Sequence, residues 1–257
     1  MTLARLRFGL FVALVLGAPA ALMSASDPRL RELGKLVMIL SPAVAGLALN
    51  LGIGPRRRMN WAWVGGAAAI TLAVAILAVA VALAVGAARL GPPIGGADTI
   101  GAHAAISALT SVLEELGWAG GGLALAVAAL GRRWGVIALG LVWAAWHLVP
   151  CVFRIGLFPP LEAASPAMLA AFVGACLIYR ELLTTLRERA GTWLASAAGH
   201  AAPNILLSAA MAAGLGGFDH PGAAWPFYPA PGGLVFPFLA ALALTLVARS
   251  KPPGDTA

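Results

Sequence analysis

Charged side chains are scarce in this sequence. Asp, Glu, Lys and Arg make up 11% of the 257 residues, whereas about 25% is usual for a soluble domain. Hydrophobic residues account for 61% and gather in long apolar segments. These proportions exclude an ordinary soluble protein and indicate a polytopic membrane protein, for which a single domain suffices at this length.

Cysteine is also scarce, and the common catalytic signatures are absent. Cys151 and Cys176 are the only two cysteines, which excludes a disulfide framework and gives no metal-ligand spacing. The sequence has no serine nucleophile elbow, no HExxH, no phosphate-binding loop and no dinucleotide fingerprint. The best-known hydrolase and nucleotide-binding classes therefore have no support.

The charge that is present is mostly positive, with 17 Lys and Arg against 10 Asp and Glu. The longest basic run is Arg56–Arg58, so we predict no nucleic-acid partner. Cytoplasmic loops of membrane proteins are enriched in Lys and Arg. Eight spans with cytoplasmic termini would place most of the basic residues on the cytoplasmic side. These are Arg5, Arg7, Arg56–Arg58, Arg132, Arg133, Arg180, Arg187, Arg189, Arg249 and Lys251. Five basic residues would lie on the other side, namely Arg29, Arg31, Lys35, Arg89 and Arg154. The cluster at 29–35 is the part of the sequence that fits this topology least.

Eight apolar segments predict an all-α fold, a polytopic transmembrane helix bundle of about eight spans. A span needs roughly 20 apolar residues, and the segments are 8–23, 36–53, 61–88, 102–130, 134–150, 167–183, 190–215 and 233–248. Segment 8–23 could instead be a signal peptide, because Ser24, Ala25 and Ser26 resemble a cleavage site. We favour a first span, since further spans follow it.

Two adjacent carboxylates, Glu114 and Glu115, lie in the fourth predicted span, which is otherwise apolar. A charge at the bilayer centre costs roughly 2.5–3.5 kcal/mol, so an intramembrane carboxylate indicates a site that faces protein or water. Neighbouring helical residues point about 100° apart. We therefore expect one glutamate to act chemically and the other to support it; a helix-packing contact is the alternative.

Two other predicted spans carry His147, and His200 with Asn204. Trp143 precedes His147 by one turn on the same helix face, and the i, i+4 spacing of His200 and Asn204 places both on one face. Each could be an ordinary packing or interhelical contact. Acid–base groups on three separate spans nevertheless favour a shared site.

This set of residues suits the hydrolysis of an amide by an activated water. Burial favours the neutral form of a carboxyl group, which makes it a usable general base near neutral pH. A histidine beside the carboxyl can share the attacking water. A His and an Asn on one face can donate hydrogen bonds to the developing oxyanion.

Three short motifs, EELGW at 114–118, WHLVP at 146–150 and HAAPN at 200–204, together resemble those of the CPBP intramembrane proteases. These are the type II CAAX prenyl endopeptidases and their bacterial bacteriocin-processing or immunity relatives. The resemblance covers about residues 102–215. It implies an eight-helix bundle and an intramembrane endopeptidase that acts on a membrane-embedded or lipidated peptide or protein. Residues 1–101 would form three further helices without a motif, and residues 216–257 a loop, the last span and a tail.

The resemblance also implies roles for single residues. Glu114 would be the base, His147 would help to hold the water, and His200 and Asn204 would line the oxyanion site. Glu115 matches the second glutamate, with a supporting role. The family motif usually has Arg five residues after the first glutamate, where this chain has Ala119, so the expected partner of Glu115 is missing.

Two other functions stay open at this point. One is a catalytically impaired relative that serves as a membrane binding or immunity protein, which Ala119 would explain. The other is a proton-linked transporter, although the inverted repeats typical of transporters are not found. We expect no cofactor; zinc held by Glu114, His147 and His200 is the alternative. We expect an integral protein of a bacterial plasma membrane, with both termini cytoplasmic.

Overall fold

The chain folds as a bundle of α-helices, which confirms the predicted all-α class. The computed structural model describes residues 2–50, 59–216, 225–229 and 233–250, so Arg56–Arg58 and Lys251 lie outside the described residues. The helices are α1 Leu3–Met23, α2 Pro28–Leu49, α3 Trp61–Ala84, α4 Ala97–Glu115, α5 Leu123–Val152, α6 Pro166–Ala190, α7 Leu194–Ala212 and α8 Val235–Arg249.

Shorter elements complete the fold. Single helical turns lie at Pro159–Glu162 and Trp225–Phe227. The antiparallel strands β1 Arg89–Leu90 and β2 Leu215–Gly216 pair with each other. A π-helical segment, Leu116–Gly122, joins α4 to α5, and a second one, Ala13–Gly17, lies within α1. Such π-helical turns are rare and often occur at functional sites, and the longer one begins directly after Glu115.

Helix boundaries follow from local sequence. Asp27 caps α2 by accepting a hydrogen bond from the Arg29 backbone N–H at 2.8 Å, and Pro28 occupies the first helical position. Ser165 caps α6 in the same way, and α6 ends at Gly191, whose φ of 70° is left-handed. Side-chain acceptors before a helix and a left-handed glycine after it satisfy backbone groups that the helix leaves free.

The predicted count of eight spans is wrong for the part of the chain that the structure describes. Five helical segments are long and apolar enough to cross a membrane: Leu3–Met23, Pro28–Leu49, Trp61–Ala84, Ala97–Val152 and Pro166–Ala190. The fourth and fifth predicted spans merge into one segment of 56 residues. The polar His200 and Asn204 make α7 less apolar, and α8 has 15 residues, fewer than the roughly 20 that a span needs.

The 56-residue segment is broken once, at Gly131. Its φ of 77° and ψ of 165° are not helical. On the far side of the break, a Cβ on Gly135 would lie 2.8 Å from the carbonyl carbon of Ala126. In a continuous helix these residues would be about 13 Å apart. The chain therefore turns back on itself at Gly131.

Helix α2 crosses the π-helical segment with the two backbones in contact. Gly117 faces the backbone of Pro42, and Gly121 faces the backbone of Gly46. A side chain at either glycine would overlap backbone atoms of α2. Small residues at a helix crossing permit this approach, which fixes the segment that follows Glu115.

Aromatic side chains complete the packing around this crossing. The buried Trp118 ring meets Phe11 and Trp146 edge-on, with centroids 5.6 and 5.9 Å apart. Trp146 also donates its indole N–H to the Met38 carbonyl at 3.1 Å. Helices α1, α2 and α5 are thereby held to the π-helical segment. Helix α7 packs against both α3 and α4.

We predict that Gly121→Ala destabilises the protein, whereas Gly65→Ala does not. The new methyl group at 121 would overlap the backbone of Gly46, and overpacking of this kind costs roughly 1–3 kcal/mol. Gly65 has open space around its Cβ position, so it is the matched helix control. Thermal unfolding in detergent, followed by circular dichroism, measures both. Equal midpoints for the two variants would contradict the close crossing.

Candidate functional site

Glu115 is held by a buried ion pair with Arg180. Arg180 Nη1 lies 2.8 Å from Glu115 Oε2, and Arg180 Nη2 lies 2.9 Å from Glu115 Oε1. The two side chains are 0% and 1% exposed. A buried charge without a partner is strongly destabilising, so this bidentate pair explains how the bundle accommodates the carboxylate.

Arg180 was counted with the basic residues of the cytoplasmic side, but it lies within α6 and its side chain is buried in the bundle. Arg180 supplies from another helix the cation that position 119 lacks, and Ala119 is itself buried. One signal in the sequence could have found this partner. Arg180 is preceded by an uncharged run that starts at 163, and an intramembrane cation is expected to pair.

His200 joins the same carboxylate. Its Nδ1 atom lies 3.1 Å from Glu115 Oε1. Asn204, one turn further along α7, instead donates its amide to Ser111 Oγ at 3.0 Å. His200 and Asn204 therefore share a helix face, as predicted from their spacing, but bind different partners. Ser111, which precedes Glu114 by one turn, was not among the predicted site residues.

Trp143 is the side chain that connects the predicted residues. Its indole N–H donates to Glu114 Oε2 at 3.3 Å. Its ring lies edge-on to His147 and to His200, with centroids 5.4 and 5.3 Å apart. The guanidinium of Arg180 lies over the same ring, 4.3 Å from its centroid. The sequence placed Trp143 beside His147 but gave no sign of these other contacts.

His147 lies among aromatic rings. Its centroid is 4.7 Å from that of Trp146, 5.3 Å from that of Phe158 and 5.6 Å from that of Phe172. Nδ1 of His147 lies 2.9 Å from the Trp143 carbonyl oxygen. Since a carbonyl oxygen only accepts, Nδ1 carries the proton and Nε2 carries the lone pair.

The two glutamates differ in how many of their carboxylate oxygens make hydrogen bonds. Both Glu115 oxygens bind charged or ring N–H groups, and Glu115 is 0% exposed. Glu114 is 9% exposed and binds only Trp143. Among the described residues, Glu114 Oε1 and the Nε2 atoms of His147 and His200 make no hydrogen bond. Three polar atoms around Trp143 therefore have no hydrogen-bond partner in the part of the chain that the structure describes.

The geometry gives no support to a metal centre. Within the described ranges, no group of three or more His, Cys, Asp or Glu side chains is arranged to hold a metal ion. Of the residues of the zinc alternative, Glu114 and His147 each use one polar atom to bind Trp143, and His200 uses one to bind Glu115.

Comparison with known proteins leaves the family open. No protein-family model matches the chain, and no curated protein matches it either. The helical bundle and its five long apolar segments define an all-α integral membrane protein that lies in a lipid bilayer.

We predict that Arg180→Met unfolds more easily than Glu115→Leu/Arg180→Met. The single variant leaves the buried Glu115 carboxylate without its cation, which costs roughly 3–5 kcal/mol, whereas replacing both members of a buried pair by apolar residues is often nearly neutral. Unfolding midpoints in detergent measure the difference. A double variant that is no more stable than Arg180→Met would contradict the importance of this pair.

Proposed function

We propose that the protein is an intramembrane endopeptidase that hydrolyses a peptide bond of a membrane-associated substrate with a water activated by Glu114. The observation that carries this proposal is the asymmetric environment of Glu114. Trp143 holds one oxygen, the other makes no hydrogen bond among the described residues, and two histidine rings pack on the same indole.

Glu114 is the general base in this reaction. A base must reach the proton that it takes directly or through one water, and Glu114 Oε1 is not engaged by the described side chains. The bond from Trp143 fixes the rotamer of the carboxylate. His147 presents the lone pair of Nε2, because its Nδ1–H donates to the helix backbone. An acceptor of this kind can hold the second hydrogen of the attacking water.

Asn204 is suited to stabilise the oxyanion. Its amide group has two N–H donors, and Ser111 accepts one of them. The other N–H can donate to the oxygen of the substrate carbonyl as negative charge develops there. Removal of one donor of this type lowers kcat by roughly 100- to 1000-fold in other hydrolases.

The resemblance to the CPBP proteases supports the same reaction. Its weak point was Ala119, which left Glu115 without a partner and favoured an impaired relative. The ion pair with Arg180 removes that reason, because Glu115 is paired from another helix. We place the catalytic core at residues 102–215, both termini in the cytoplasm and the protein in a bacterial plasma membrane. The substrate is a membrane-embedded or lipidated peptide or protein.

We predict that Glu114→Gln abolishes cleavage, whereas Glu115→Gln lowers it less. The amide at 114 cannot take a proton, and loss of a general base costs roughly 100- to 10,000-fold. Glu115 acts only through its neighbours. Turnover of a membrane peptide by the purified protein in liposomes measures both variants. Glu188→Gln, which alters an exposed partner of Arg132, is the control and should cleave like the wild type.

The contrary outcome of this experiment is also defined. Suppose that the wild type cleaves no faster than Glu114→Gln and that Ala119→Arg gains activity. The protein would then be a relative of the proteases that lost catalysis through the change at position 119. Proton-coupled uptake by the wild type without peptide cleavage would instead favour the transporter alternative.

We predict that chelators leave cleavage unchanged and that the purified protein holds less than stoichiometric zinc. The proposed base, the water-holding histidine and the oxyanion donor need no metal. Metal analysis of the purified protein and turnover after treatment with EDTA test this. Activity that is lost with a stoichiometric metal and restored by zinc would reverse the assignment.

A further inference from the structure

The way in which His200 is held defines where its proton lies. Nδ1 of His200 is 3.1 Å from Glu115 Oε1, and both side chains are buried. Each Glu115 oxygen also accepts a hydrogen bond from Arg180. A carboxylate in such a bidentate pair is ionised, and an ionised carboxylate only accepts hydrogen bonds. Nδ1 of His200 must therefore carry a proton.

This proton restricts the role of the other ring nitrogen. In a neutral imidazole one nitrogen donates and the other accepts, and only the imidazolium donates from both. Nε2 of His200 is thus an acceptor until the ring takes up a second proton. The amide of Asn204 carries its N–H groups in every state, so it can serve as an oxyanion donor throughout the reaction. Nε2 of His200 carries a proton only in the imidazolium, which is the form in which a histidine acts as a general acid.

We infer that Arg180 and Glu115 form a positioning pair that orients His200 as the general acid of the reaction. This inference rests on the proposed peptide hydrolysis. It departs from the role expected from the sequence, in which His200 and Asn204 together line the oxyanion site. A carboxylate that binds one nitrogen of an imidazole fixes the orientation of the ring and leaves the other nitrogen free to exchange protons.

The proton balance of the reaction is complete with these two groups. Glu114 takes one proton from the attacking water, whose oxygen bonds to the carbonyl carbon. The imidazolium of His200 gives its Nε2 proton to the leaving nitrogen as the C–N bond breaks. The products are a carboxylic acid and an amine. The proton left on Glu114 then returns to the neutral His200 through water before the next turnover.

Trp143 links the positioning pair to the base. Arg180 lies over its indole ring at 4.3 Å, and the same indole donates to Glu114 and meets the edge of His200. Arg180 therefore supports both the carboxylate that orients His200 and the ring that holds Glu114. It acts through these neighbours, so its loss should change the rate of the chemical step more than substrate binding.

The first test does not depend on activity. Nitrogen-15 NMR of histidine-labelled full-length protein in lipid bilayers reports which ring nitrogen is protonated, and the signals missing from His200→Gln identify His200. We expect a protonated Nδ1 in the wild type, and loss of this preference in Glu115→Leu/Arg180→Met. A wild-type His200 with a bare Nδ1 would overturn the inference, as would an unchanged preference in the double variant.

The second test separates proton transfer from oxyanion binding. Gln at position 200 keeps an N–H donor but cannot transfer a proton, so we expect His200→Gln to lower kcat roughly 100-fold or more with little change in KM. If Glu115→Leu/Arg180→Met folds, it should likewise have a lower kcat with little change in KM. A wild-type kcat in His200→Gln would overturn the general-acid role of His200. A wild-type kcat in the double variant would overturn the positioning role of Arg180 and Glu115. Arg132→Gln, which breaks exposed ion pairs with Glu181 and Glu188, is the control and should keep wild-type kcat.

If the double variant does not fold, Arg180→Lys takes its place, since Lys keeps the charge but loses the bidentate geometry. A reduced kcat at unchanged KM supports the inference, and an unchanged kcat overturns it. The two proposals also fail differently. A wild type that cleaves no peptide ends the proposed hydrolysis and the acid role of His200, while the NMR result still decides whether Arg180 and Glu115 orient the ring.

Discussion

The burial of one charge constrains the rest of this structure. Glu115 has no exposed surface, and an ion of this kind is tolerated only with a well-matched partner and satisfied hydrogen bonds. Arg180 meets the first condition and His200 contributes to the second. Because these residues come from α4, α6 and α7, satisfying one carboxylate fixes the relative placement of three helices. Packing elsewhere in the bundle must be compatible with that placement.

Trp143 extends this constraint to the atoms that we propose to be reactive. An indole has one N–H donor and two broad faces, and here each feature has a partner. The N–H group binds Glu114, while Arg180 and the histidines meet the ring. The base is thereby tied to a rigid side chain rather than to a charged one. The other oxygen of Glu114 makes no hydrogen bond among the described residues.

Much of the fold and of the candidate site could be predicted from the sequence, and each feature that was missed has a physical cause. The scarcity of charge predicts a helical membrane protein, and isolated polar residues in apolar segments predict Glu114, Glu115, His147, His200 and Asn204 as candidates. Helical spacing cannot predict contacts between helices, so it missed the Arg180 partner and the Ser111 contact. Counting basic residues as loop markers assigned Arg180 to the wrong environment. The span count differs because Ala97–Val152 forms one helical segment that is broken only at Gly131, because α7 is less apolar, and because α8 is shorter than a span requires.

Gly131 has a consequence for how the chain is laid out in the bilayer. A straight helix of 56 residues would be about 84 Å long, nearly three times the hydrocarbon thickness of roughly 30 Å. One left-handed residue prevents that rod from forming, and only glycine adopts its conformation without a steric penalty. The two arms that carry Glu114 and His147 therefore face each other because a single position lacks a Cβ. A substitution there would affect the assembly of the site from a position that belongs to neither arm.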